Sequence, residues 1–109
     1  MGGGNRAVIV GTVVKAPDTR WSPAGIPIVR LTLEHRSRQQ EAGMIREARF
    51  RILVKVAGEA LAQQAGGLQA GEQVEVEGFL NRADHRSGAE RLVLHAERIE
   101  RLTGTAGQA

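Results

Sequence analysis

Two segments of the chain alternate between apolar and polar residues, which is the pattern of a β-strand with one buried face. In residues 28–36, valine and leucine alternate with arginine, threonine and glutamate. In residues 47–56, alanine, phenylalanine, isoleucine and valine alternate mostly with glutamate, arginine and lysine. We predict that these strands pair as a hairpin, with Phe50 on the inner face and a mostly basic outer face.

Three further segments predict strands, and one predicts a helix. Residues 6–15, 72–80 and 91–102 are rich in valine, isoleucine and leucine and are bounded by glycine, proline or polar stretches. Residues 6–15 are apolar on both faces, which predicts a strand covered on both sides. Residues 59–65 are rich in alanine and glutamine and are followed by two glycines, which predicts a short helix.

Polar residues, glycine and proline separate most of these elements and predict loops at residues 16–27, 37–46 and 81–88. Gly11 and Gly78 lie inside predicted strands instead. A residue without a Cβ lets a strand bend or bulge, as small closed barrels require. Both glycines therefore indicate bend points.

The order strand, strand, strand, helix, strand, strand is that of the OB fold. We predict an all-β, five-stranded OB-fold Greek-key barrel with one short helix between strands 3 and 4. It forms a single domain over residues 5–102, between a flexible arm at 1–4 and a flexible tail at 103–109. OB folds hold oligonucleotides or oligosaccharides on strands 2 and 3 and on the loops joining strands 1 to 2 and 4 to 5. The predicted basic face lies on the matching strands.

Composition and charge narrow the class of protein. The 109 residues contain no cysteine, which excludes disulfides and thiolate metal sites and favours the cytoplasm. No apolar run approaches the roughly 20 residues of a membrane helix. The net charge of +3 is uneven: residues 20–55 carry eight basic and three acidic side chains, whereas residues 56–81 carry four acidic and no basic ones. Thirteen of the fifteen basic residues are arginine, which suits phosphate contacts and stacking on flat rings.

Short stretches spread along the chain resemble the family of primosomal replication protein N (PriB), bacterial replication-restart proteins of the single-stranded DNA-binding OB-fold superfamily. The stretches are "GTV" at 11–13, "AP" at 16–17, "SPAGIP" at 22–27, "LEHRS" at 33–37, "EAG" at 41–43, "VEGF" at 76–79 and "LVLHAERIE" at 92–100. The resemblance implies a homodimer that binds single-stranded DNA and helps the PriA helicase and DnaT reassemble the primosome. The apolar segment 7–14 also favours pairing of an edge strand with its own copy.

The resemblance also implies which residues contact DNA. Basic residues at matching family positions are Arg20, Arg36, Arg86 and Arg91. Met44 and Arg49 stand where well-studied members have aromatic residues that stack on bases, and Asp84 stands where they have a basic residue.

The residues themselves add further candidates. Trp21 is the one aromatic residue predicted to be available for stacking, because Phe50 is predicted inward and Phe79 has no settled face. Arg49 and Arg51 offer guanidinium planes to bases. The full predicted nucleic-acid-binding set is Arg20, Trp21, Arg36, Arg46, Arg49, Arg51, Arg82, Arg86 and Arg91.

Plainer interpretations stay open. A solvated strand face without a ligand would show the same arginine row, and Trp21 packed on Pro23 would be a local clamp. His35 and His95 have no third ligand candidate, so we expect no metal site, and we expect no cofactor. No ordered nucleophile, base and orienter and no phosphate-binding glycine motif are present, so we expect no enzyme.

We therefore predict a single-stranded DNA-binding accessory protein of the replication-restart primosome, with PriA helicase and DnaT or an equivalent loader as partners. The alternative is a dimeric protein–protein adaptor of the primosome whose own DNA binding is weak. The scarcity of aromatic residues, one Trp and two Phe, favours that alternative.

Overall fold

A computed structural model of the chain describes residues 3–83 and 91–102. They form six strands and one helix: β1 (Ala7–Val13), β2 (Asp18–Trp21), β3 (Pro27–Glu41), β4 (Met44–Ala57), α1 (Glu59–Gly66), β5 (Gln73–Arg82) and β6 (Leu92–Arg101). The predicted tail at 103–109 and half of the predicted arm lie outside the described residues, so these domain bounds stay predictions. No helix in the described part of the chain is long and apolar enough to cross a membrane.

The five longer strands close into a barrel, as predicted. The strand order is β1-β5-β6-β4-β3, and β1 returns to pair with β3. The pair β4–β6 is parallel, and the other pairs in the ring are antiparallel. Helix α1 follows the third barrel strand, β4, and precedes the fourth, β5; counted with the short β2, it lies between the fourth and fifth strands of the chain.

The short strand β2 corrects the prediction of a uniform loop at 16–27. It pairs antiparallel with the start of β3, where Asp18 lies opposite Arg30 and Trp21 opposite Pro27. All four residues of β2 are exposed, so no apolar alternation marks the strand in the sequence. The pairing fixes this part of the loop against the edge of β3.

The β3–β4 hairpin is longer than predicted, and the predicted loop at 37–46 is wrong. The ladder continues until Glu41 lies opposite Met44. The chain then reverses at Ala42 and Gly43, whose φ angles are 53° and 78°. Two-residue turns with positive φ at both positions match the twist of the strands they join. Residues 38–41, at the β3 side of this end, are polar, and both of their faces meet solvent.

Apolar side chains from every barrel strand fill the interior. The largest fully buried ones are Leu33, Leu94, Val13, Val29, Val54, Val56, Val74 and Val76. Ala62 and Ala65 of α1 pack against this cluster. Phe50 lies on the inner row of β4, as predicted, where it stacks on His35. Its side chain is nevertheless 39% exposed, because β4 pairs with β6 only from Leu53 onward and Phe50 precedes that junction.

A bulge in β6 confirms the predicted bend point at Gly78. Glu97 has no partner of its own in β5, and the register between β5 and β6 shifts next to Gly78. The extra residue lets Leu94 and Ile99, five positions apart, both lie in the core. A Cβ at Gly78 would overlap the carbonyl oxygen of His95, so only glycine fits there. The bulge thereby turns His95 to the outer face of the barrel.

Candidate nucleic-acid interface

The outer face of the β3–β4 hairpin, here called the basic face, concentrates positive charge. Arg30 lies opposite Lys55, and Arg36 lies opposite Arg49, so the cations of the two strands are side by side. The face carries six cations and two carboxylates, a net charge of +4: Arg30, Arg36, Arg38, Arg49, Arg51 and Lys55, with Glu34 and Glu47. The prediction that the two rows join in one mostly basic face is confirmed.

Ion pairs hold three of these arginines to the two carboxylates. Arg36 Nε lies 2.6 Å from Glu47 Oε2. Glu34 lies between Arg49 and Arg51, with N–O distances of 3.4 Å and 3.2 Å. The hydrogen bond from Arg36 lowers the pKa of Glu47 below its ordinary value. All three guanidinium groups stay more than half exposed, and exposed ion pairs contribute little to stability, so an incoming phosphate can replace the carboxylates.

Three cations of the basic face make no ion pair within the described part of the chain: Arg30, Arg38 and Lys55. The predicted set omitted all three. The signal that identifies Arg30 and Lys55 is the hairpin register, which places them opposite each other on the outer face. They are the cations that a polyanion meets without displacing a carboxylate.

The strand β2 places Arg20 and Trp21 on different sides. Arg20 lies opposite Ile28 and therefore shares the outer side of the hairpin, where its Nε is 3.2 Å from Asp18 Oδ2. Trp21 points to the other side of β2 by alternation. Its side chain is 66% exposed, so the alternative of a ring covered by a local clamp does not hold.

Arg46 also lies away from the basic face. It is opposite Gln39, on the side of the hairpin that continues the inner face. Its Nε is 3.3 Å from Glu41 Oε1. Arg46 precedes Arg49 by three positions, and an odd spacing along a strand changes the face, so Arg46 does not share the basic face with Arg49 and Arg51. Its predicted contact with DNA stays a prediction.

The ends of β5 and β6 bring a further cation to the barrel wall. The Ala83 N–H donates to the Arg91 carbonyl over 2.8 Å, which joins the two sides of the segment between these strands. Arg91 lines an open groove of about 940 Å³ together with Arg30, Arg51 and Leu92. Arg82 lies opposite Leu92 at the end of β5. The predicted Arg86, and with it Asp84, lies outside the described residues.

Exposed aromatic rings are more numerous than predicted. Phe50 stacks on His35 with a centroid distance of 4.8 Å, and Phe79 stacks on His95 at 4.9 Å. Phe79 is 37% exposed. The prediction that only Trp21 is available for stacking is therefore wrong. Neither histidine belongs to a metal-ligating group within residues 3–83 and 91–102.

The tip of the hairpin is apolar and exposed. Met44, which stands at a position where relatives have an aromatic residue, is 62% exposed, and its neighbour Ile45 is exposed as well. Glu41, opposite Met44, ends β3. The tip therefore presents a flexible thioether and a branched side chain rather than a flat ring.

The outer face of β5 and β6 around Arg98, here called the ion-paired face and made of Glu75, Glu77, Arg98 and Glu100, differs from the basic face. Arg98 reaches three carboxylates, those of Glu75, Glu77 and Glu100. Arg6 also pairs with Glu77, and this hydrogen bond lowers the pKa of the Glu77 carboxyl below its ordinary value. The acidic segment after residue 71 is therefore largely neutralised within the chain itself.

Comparison with known proteins places the chain in a family. Residues 5–98 match a family described as another single-strand binding protein family. The replication restart protein PriB of Photorhabdus laumondii is 46% identical over 96 residues, which cover 88% of this chain and 91% of that protein. The structure of PriB from Ralstonia solanacearum has a TM-score of 0.78 at 31% identity and covers 92% of this chain and 99% of that one. The single-stranded DNA binding protein from Thermus aquaticus has a TM-score of 0.75 at 27% identity, covering 93% of this chain and 51% of that one. The chain therefore belongs to the PriB family of replication restart proteins.

Proposed function

We propose that this chain is a non-enzymatic accessory protein of replication restart that binds single-stranded DNA on its basic face. The observation that carries the proposal is the net charge of +4 on the outer face of the hairpin, with Arg20 and Arg91 at its flanks. Such a surface attracts the phosphates of the DNA backbone, whatever the base sequence. Exposed bases stack on aromatic rings and guanidinium planes near it.

Binding proceeds by exchange of counterions. The guanidinium groups of Arg36, Arg49 and Arg51 already face carboxylates, so a phosphate takes the place of an internal anion. Arg30 and Lys55 contribute their full charge, since no carboxylate in the described part of the chain pairs with them. We therefore expect binding that is weak at physiological salt and steeply salt-dependent.

In this proposal the chain acts as a homodimer in the cytoplasm and passes DNA to a restart helicase of the PriA type. DnaT or an equivalent loader is a further partner. Val8 and Val10 support the dimer, because these apolar side chains of β1 are 48% and 40% exposed. Within the described residues, β1 pairs with β3 only at Thr12 and Val13. Residues 7–11 of β1 pair with β5 along one edge, and their other edge is open. Open apolar edge strands tend to pair with another chain.

The second candidate function is a protein–protein adaptor of the primosome whose own DNA binding is weak. The internal ion pairs favour it, because five of the predicted DNA-binding arginines face carboxylates of the chain: Arg20, Arg36, Arg46, Arg49 and Arg51. The two candidates differ in a measurable way, since only the first requires a preference for single strands.

The test is fluorescence anisotropy of labelled single-stranded and duplex oligonucleotides at several salt concentrations. We expect single strands to bind more tightly, with a log-log salt slope near −3 for about four phosphate contacts. Arg36→Ala and Arg49→Ala should each weaken binding and reduce the slope, whereas Arg98→Ala, which removes an arginine from the ion-paired face, should not. Equal, feeble binding of single strands and duplex would reject the DNA-binding proposal in favour of the adaptor, and a monomeric mass by light scattering would reject the dimer.

A further inference from the structure

One lateral line of side chains crosses four neighbouring strands on the outside of the barrel. Arg30 of β3 lies opposite Lys55 of β4, Lys55 lies beside His95 of β6, and His95 lies opposite Phe79 of β5. We call these four residues the cross-strand row. Neighbouring strands are about 4.8 Å apart, so the row is roughly 14 Å long. It runs at right angles to the hairpin rows and leads away from them.

The bulge in β6 builds the aromatic end of this row. Without the extra residue at Glu97, the alternation that buries Ile99 would bury His95 as well. With it, the imidazole lies flat against Phe79, with 2° between the ring planes. Burial, with a smaller effect from the charge of Lys55, lowers the pKa of His95 below its ordinary value and so favours the neutral ring. A parallel pair of rings is thus held at the barrel surface beside a lysine.

The charges along the row are of one sign. Arg30 and Lys55 make no ion pair with the described residues, and Arg30 also lines the groove that contains Arg51 and Arg91. Beyond Phe79 the next strand across is β1, where Ala7 lies opposite Gly78 and the preceding Arg6 is paired with Glu77. The row is therefore continuous with the basic face at Arg30 and Lys55, and an ion pair bounds it at the Phe79 end.

We propose that the cross-strand row is a second track for single-stranded nucleic acid, in which Arg30 and Lys55 hold phosphates and Phe79, backed by His95, stacks on a base. This inference rests on the proposed function, since it extends the DNA path from the basic face across the barrel. The combination of cations that no carboxylate within residues 3–83 and 91–102 pairs with and an exposed flat ring is the one that single-strand binders use. The path leaves the hairpin through the groove at Arg91 and crosses β4 and β6.

The experiment compares binding of a dT oligonucleotide of about 16 nucleotides, the upper range for one OB fold, to the full chain and its variants. Phe79→Leu keeps an apolar side chain without the flat ring and should weaken binding about fivefold, whereas Phe79→Trp should retain it. Lys55→Gln should reduce the magnitude of the salt slope by about 0.7, the value for one single-strand phosphate contact. Arg101→Gln is the matched charge control, because Arg101 lies at the far end of β6, pairs with Glu72 and should leave binding unchanged.

A spectroscopic readout separates stacking from stability. Phe79→Trp in a Trp21→Phe background supplies one fluorophore, whose emission should be quenched on addition of the oligonucleotide. The row is rejected as a DNA track if the wild-type chain binds the oligonucleotide and Phe79→Leu and Lys55→Gln, shown to be folded by urea denaturation, bind it equally well. Loss of helicase stimulation by Phe79→Leu with DNA binding intact would likewise reject it, in favour of a protein partner. If the wild-type chain does not bind, the proposed function itself fails.

Discussion

Two outer surfaces of the same barrel use arginine and glutamate in opposite ways. On the basic face, six cations share two carboxylates, so the charge is only partly balanced. On the ion-paired face, the single arginine Arg98 forms ion pairs with three carboxylates. Arg6 forms a second ion pair with one of them, Glu77. The difference shows that the number of arginines in a segment says little about DNA binding. What matters is how many carboxylates the strand register places beside them.

Charge reversal at one position on each face should produce the largest contrast. Arg49→Glu adds a carboxylate opposite Arg36 and should weaken single-strand binding about tenfold or more, because phosphate contacts dominate the affinity. Arg98→Glu puts four carboxylates on neighbouring positions and should lower the melting temperature instead, with DNA binding nearly unchanged. Fluorescence anisotropy measures the affinity of both variants for single strands, and thermal unfolding measures their melting temperatures. Equal losses of binding would show that the two faces act as one electrostatic surface.

Removing an internal counterion should have a smaller and opposite effect. Glu34 holds both Arg49 and Arg51, so Glu34→Gln frees two cations in one step. We expect the affinity for single strands to rise about threefold, because exposed ion pairs are weak competitors. Glu75→Gln, which removes a contact of Arg98, is the control and should leave the affinity unchanged. An unchanged affinity of Glu34→Gln would mean that DNA does not contact these two arginines.

The alternation in the sequence was enough to predict the hairpin and the face on which its charges lie. It works there because residues 29–33 and 52–56 each have one buried side, so every second residue must be apolar. It fails beyond Ser37, where both sides of the hairpin are in water and no pattern is imposed. For this reason the pattern does not predict the face on which Arg46 lies, and it does not mark β2, none of whose residues is buried.

The cross-strand row could not be predicted from local pattern. Leu94 and Ile99 are both buried although they are five positions apart, and only a bulge reconciles that odd spacing with a strand. The bulge depends on the close approach of Gly78 to the His95 carbonyl, a contact between two strands that lie apart in the sequence. Gly78 was recognised as a bend point, but the sequence does not reveal which neighbour turns outward as a result.

The smallest expected effect is a difference in acid stability between the two faces. Arginine hydrogen bonds lower the pKa of Glu47 on the basic face and of Glu77 on the ion-paired face below 4.5. Below that pH the unfolded chain binds more protons than the folded one, so the free energy of unfolding falls with falling pH. Urea denaturation between about pH 3 and about pH 6 should show a shallower fall of the free energy of unfolding for Glu47→Gln and for Glu77→Gln than for the unmodified chain.

Only Glu47→Gln should also tighten DNA binding. It frees Arg36, an arginine of the basic face that we expect to contact phosphate, whereas the partners of Glu77 face away from the basic face. Tighter binding by Glu77→Gln would contradict the separation of the two faces.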